Sequence, residues 1–174
     1  MKKIFIKITM ALYLKFRKKY EKQIFDLLSE KNLKEENLWS IISEYDIEKF
    51  SKYINAIEYK ADMLEGLLDM SFPKNNPNYF FSNLSYGRDC DDWSRLWVLY
   101  LEKHGWEEIS EVCVTTTKHP FKESHFITVA KKDGKYHCFN YEYSSIGYDT
   151  FEEAVYKVCD WDIYNKDNLV WTKY

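Results

Sequence analysis

Tyr86-Gly87-Arg88-Asp89-Cys90-Asp91-Asp92-Trp93-Ser94-Arg95-Leu96-Trp97-Val98-Leu99-Tyr100-Leu101-Glu102-Lys103-His104-Gly105 reads as a loop that turns into a helix. Asp89 stands where an N-cap belongs, Asp92 follows at the spacing of an acidic capping box, and Gly105 falls where a C′ glycine would end the helix. Trp93, Leu96, Trp97, Tyr100, Leu101 and His104 recur at helical spacing, so one stripe of the helix faces a core, and Cys90 lies one turn before Trp93 on the same side. First-turn amides and the helix dipole favour a thiolate there, while Asp89, Asp91 and Asp92 oppose it. Free cysteines are also commonly plain buried residues, so this stretch alone leaves both a nucleophile and a structural thiol open.

Beyond Gly105 the pattern changes to strands. Ile109 to Thr117 is rich in β-branched residues, Lys118 to Glu123 reads as a loop, and His125 to Lys131 and Lys135 to Tyr141 are joined by Asp133-Gly134, the signal of a two-residue type I′ hairpin. If Lys132 faces Lys135, antiparallel pairing places Ile127 opposite Asn140 and His125 opposite Glu142. His125 and Asn140 then become diagonal neighbours at about 7 Å, within reach of a side-chain hydrogen bond that would set the imidazole's tautomer. A helix opened by the Thr150-x-x-Glu153 capping box follows, and Leu169 to Tyr174 supplies a final strand.

Upstream the chain is helical in character. Ile24, Leu27 and Leu28 form one apolar group and Leu38, Trp39, Ile41, Ile42 and Tyr45 a second, separated by the polar joint from Ser29 to Asn37. A third helix is expected over Ile47 to Leu68, and Phe72-Pro73-Lys74-Asn75-Asn76-Pro77-Asn78 ends the helical region. Met1 to Lys22 begins with lysines around a short apolar run. Lys7 interrupts that run, basic residues follow it, and no small-residue cleavage site appears, which argues against an export signal. The run is too short to span a bilayer. Between a basic helix lying on an anionic membrane and a helix packing one side on the body with its other side solvated, the second is the simpler expectation.

The 174 residues suit one domain, divided here into a helical region over 1–70 that packs on a core over 71–174. With 25 basic against 28 acidic residues the net charge is −3, which leaves no general footprint for nucleic acid. Cys90, Cys113, Cys138 and Cys159 form no C-x-x-C pair, so reduced thiols and a cytoplasmic location are expected. His104, His119, His125 and His137 stand at no usual ligand spacing with Cys113 or Cys138, and neither a metal nor another cofactor is expected.

Cysteine at a helix start, then histidine on a sheet, then asparagine one strand later is the set a thiol acyl-transfer enzyme needs: nucleophile, base and orienting residue from separate elements. Asp89-Cys90-Asp91-Asp92-Trp93, His125-Phe126-Ile127-Thr128-Val129 and Phe139-Asn140 together resemble the three motif blocks of the bacterial transglutaminase-like cysteine peptidases, within the papain-like superfamily. The resemblance covers about 77–158. Arg88 stands where the family usually has glycine before Asp-Cys, and Asn140 where it usually has aspartate, although asparagine is familiar from the papain branch.

The resemblance implies an α+β fold with the cysteine helix packed on an antiparallel sheet. It further implies a protein or peptide carboxamide substrate, and a Cys90–His125–Asn140 triad in which His125 pairs with the thiolate and then protonates the leaving amine. Water as acceptor gives a peptidase, amidase or deamidase; an amine gives a transglutaminase. The Cys90 backbone amide is the natural first oxyanion donor, Asn83 and Tyr86 are candidates for a second, and Glu142 is a further candidate beside His125. The alternative is a catalytically inactive transglutaminase-like domain kept for binding or scaffolding.

Overall fold

The computed structural model describes residues 2–28, 38–60, 72, 74, 76–81, 88–120 and 122–174. Its helices are α1 (Lys2–Leu28), α2 (Leu38–Ile42), α3 (Ile47–Asn55), α4 (Cys90–Lys103) and α5 (Phe151–Val155). Its strands are β1 (Glu107–Thr116), β2 (His125–Lys132), β3 (Lys135–Asn140), β4 (Glu142–Tyr143) and β5 (Leu169–Lys173). The strands form one antiparallel sheet in the order β4-β3-β2-β1-β5, so the fold is α+β with β2 in the middle of the sheet.

Local chemistry sets the ends of α4. Asp89 and Asp92 form the capping box, with Asp92 accepting from the Asp89 N–H. At the other end Gly105 adopts φ 68°, and the N–H groups of Gly105 and Trp106 donate to the carbonyls of Glu102 and Leu101. That pair of bonds is a Schellman motif, which an L side chain at Gly105 would strain.

The expected single stripe on α4 is only part of what the fold buries. Asp91 to Val98 are all buried, as are Tyr100 and Leu101, because the helix is covered on several sides. Trp97 and Tyr100 meet Phe50 of α3, Ser94 bonds Thr128 of β2 at 2.8 Å, and Arg95 pairs with Glu111 of β1 at 3.2 Å. A buried guanidinium needs this many acceptors, and Arg95 also donates to the Phe72 carbonyl at 3.0 Å.

Period-two alternation divides β2 between the two faces of the sheet. Ile127 and Val129 join Val112, Val114 and Cys138 under Ala154, Val155 and Val158 of the α5 segment. Phe126, Thr128 and Ala130 face the other way, toward α1 and α4. Because both faces are covered, every residue from His125 to Ala130 is buried. Three layers result, with the central strand carrying a histidine at its first position.

Helix α1 lays Ile6, Met10 and Leu14 against Cys113, Phe126 and Val170. The other side of this helix is exposed and is unusually apolar, carrying Ile4, Phe5, Ile8, Leu12 and Phe16. Helix α3 also differs from expectation. It ends at Asn55 rather than running to Leu68, because residue 60 is drawn into an antiparallel bridge between Lys60 and Arg88. Residues 61–71 and the joint 29–37 lie outside the described residues, and no side chain is described for Ile24, Leu27 and Leu28.

Candidate active site

Each of the three candidate residues sits at the end of an element. Cys90 is the first residue of α4, His125 the first of β2 and Asn140 the last of β3. The Lys60–Arg88 bridge holds the approach to Cys90 two residues upstream. The hairpin does the same for the other pair: Asp133 and Gly134 take φ 50° and 79°, as a type I′ turn requires, and the ladder runs from Lys132–Lys135 to Thr128–Phe139.

Beyond Phe139 the expected register gives way. Tyr141 adopts φ 58°, the chain reverses, and Glu142 pairs back onto Asn140 as part of β4. Glu142 is therefore exposed on the far side of β3 and paired with Asn140 rather than opposite His125, which corrects the expected register, while it borders the same cleft as Asn140 and Trp161. A hairpin count assumes that the strand continues straight, and one left-handed residue is enough to break it. Asn83 and Tyr86 lie outside the described residues.

His125 and Asn140 meet directly: Nε2 and Oδ1 are 2.7 Å apart. A carboxamide oxygen only accepts, so the ring proton sits on Nε2 and Nδ1 is left with its lone pair. His125 is 6 % exposed, and that burial lowers its pKa to about 4, with the Asn140 bond opposing the shift. At neutral pH the ring is an uncharged base in a fixed tautomer.

Cys90 is half-buried and packs on the cluster that contains Phe126, the neighbour of His125. Burial, and after it negative charge at Cys90, raises the pKa of Tyr141, whose ring centroid is 5.3 Å from that of His125. Through Trp93, in the first turn of α4, the start of the helix and the histidine share Tyr141 as an aromatic neighbour.

The three acids around Cys90 are engaged in ways their sequence positions do not reveal. Asp91 pairs with Arg17 of α1 in a buried ion pair. Asp92 accepts from the Phe72 N–H at 2.9 Å and from the Asp89 N–H, so it serves the loop and the cap. Ligand atoms of Asp89, Cys90 and Asp91 lie within 4.8 Å of one another, but Arg17 already supplies a cation there. The acids that oppose a thiolate in the sequence are therefore partly neutralised by the fold.

Sequence patterning missed Arg17, Tyr141 and Trp161. Trp161 lies over His125 with centroids 4.8 Å apart and stacks on Tyr141 at 6.1 Å, so an indole covers the imidazole from outside. Tyr141 in turn meets Trp93 at 5.8 Å and Tyr59 at 6.2 Å. None of these residues has a motif around it; only the fold brings them together. Beside them lies a cleft of about 520 Å³ bordered by Asn140, Trp161, Ser144, Ser145 and Lys157.

Among the other thiols, Cys138 is buried and its pKa is pushed up to about 12, while burial also raises that of Cys159. Comparison with family models, with curated proteins and with solved structures finds no match to this chain.

Proposed function

We propose that the chain is a thiol-dependent acyl-transfer enzyme of transglutaminase-like or papain-like type, with Cys90 as nucleophile, His125 as general base and acid, and Asn140 as the orienting residue. The observation that carries this reading is the part-buried His125–Asn140 hydrogen bond at 2.7 Å, made by the two residues singled out with Cys90. A histidine held in one tautomer inside a protein, at the end of a strand and with its second nitrogen unprotonated, is poised to take a proton.

In the proposed reaction the Cys90 thiol proton passes to His125 Nδ1 as sulfur attacks a carboxamide carbon, and the carbonyl oxygen becomes an oxyanion facing the first-turn amides of α4. Collapse expels the amine, which takes the proton from His125 and leaves a thioester on Cys90. Water or a second amine, deprotonated by the same ring, then attacks the thioester and regenerates the thiol. Burial favours the neutral form of His125, the form that can accept the thiol proton. Trp161 shelters the His125–Asn140 bond from water, which would otherwise compete for both partners.

Incubation with a pool of glutaminyl and asparaginyl peptides, followed by intact-mass measurement, tests this reading. An acyl adduct should appear on Cys90, be released by hydroxylamine and be absent from Cys90→Ser. Asn140→Ala should slow its formation by roughly 10²-fold, the scale of one acid–base contribution, while the chain stays folded. Equal adduct formation by wild type and His125→Gln would sink the proposal.

A further inference from the structure

Helix α1 is apolar on two opposite faces. Ile6, Met10 and Leu14 fill the inward face, while Ile4, Phe5, Ile8, Leu12 and Phe16 project outward at 54–71 % exposure. At 100° per residue the outward set falls within one arc, opposite the buried set. Isolated apolar residues on a surface are ordinary, but five large ones on one side of one helix make a continuous patch that asks for a partner.

Charge identifies the partner. Seven of the 25 basic residues and none of the 28 acidic ones fall within 2–20, although the whole chain is net negative. Arg17 is spent on Asp91, Lys3 reaches the Lys166 carbonyl, and Lys7 and Lys18 lie over Trp171 and Tyr174, so these four lean toward the body. Lys15 and Lys19 are exposed beside the outward apolar residues. A second copy of the chain would bring two such basic helices together and set like charge on like.

We propose that α1 lies flat on an anionic phospholipid surface, with its outward apolar residues in the acyl boundary and its lysines among the headgroups. No helix among the described residues is long and apolar enough to cross a membrane, so attachment is interfacial. The opposite face of α1 packs in the same cluster as Cys90, and the attachment would therefore fix the orientation of the candidate site relative to the bilayer.

Co-sedimentation of the full chain with phosphatidylcholine vesicles, with and without phosphatidylglycerol, tests this. Binding is expected with phosphatidylglycerol, roughly ten-fold weaker or less without it, and reduced by high salt. The triple variant Ile8→Gln/Leu12→Gln/Phe16→Gln should lose binding by roughly ten-fold or more, and Lys15→Glu/Lys19→Glu should abolish the preference for the anionic lipid. Both variants change exposed side chains, so unchanged thermal unfolding will show that each remains folded. Equal binding to both vesicle types, undiminished binding by the triple variant, or a stable dimer that buries α1 and ignores vesicles would each overturn the proposal.

Discussion

At the scale of single residues, His125 links the candidate chemistry to stability. Its folded pKa of about 4 lies below the ordinary 6.5, so as pH falls the unfolded chain takes up the proton first. The contribution is complete above pH 6.5 and is lost as pH falls through 4, amounting to about 3 kcal/mol in favour of the folded state. Urea unfolding of wild type and His125→Gln across this window should show wild type losing about 3 kcal/mol more than the variant, because carboxylates titrate alike in both. Parallel pH profiles would mean that the ring is not held neutral by burial. Cys138 offers a second check at this scale. With its pKa near 12 it should resist iodoacetamide in the folded protein while half-buried Cys90 reacts.

At the scale of elements, the join between α1 and α4 rests on the Arg17–Asp91 pair, whose side chains are 3 % and 1 % exposed. Burying both charges gains little over a well-packed apolar pair, whereas removing one strands the other. Arg17→Met should therefore cost about 3–5 kcal/mol, and the double variant Arg17→Met/Asp91→Leu should recover most of that loss, as read by urea unfolding. A double variant no better than the single would show that the guanidinium is needed for more than its partner, most directly for its place over the rings of Phe126 and Tyr174. The caps of α4 show why some boundaries were readable from sequence: Asp89, Asp92 and Gly105 act on neighbours within a turn, so their effect is written locally. The end of α3 was not readable. It depends on Lys60 meeting Arg88, a bridge between residues far apart in the chain.

At the scale of the whole molecule, the sheet is covered on both faces, and α1 supplies part of one cover. Deleting residues 1–28 would uncover Cys113, Phe126 and Val170 and remove three buried apolar side chains worth about 1.5–3 kcal/mol each. That loss is comparable with the total stability of a domain, so the truncated chain should unfold or aggregate at ordinary temperature, as circular dichroism and gel filtration would show. A folded, soluble truncation would make α1 an accessory rather than part of the core. The α+β class, the cap residues of α4 and the Asp133-Gly134 hairpin were all determined by sequence alone, because each rests on periodicity or on the conformational preferences of residues close in the chain. The same hairpin made the His125–Asn140 pair reachable by counting. Tertiary structure alone decided the reversal at Tyr141 that pairs Glu142 with Asn140, the indole of Trp161 over the histidine, and the Arg17 charge beside the first turn of α4. It also decided which face of α1 is buried and which is left outward, since an apolar residue on both sides of a helix has the same hydropathy until a sheet occupies one of them.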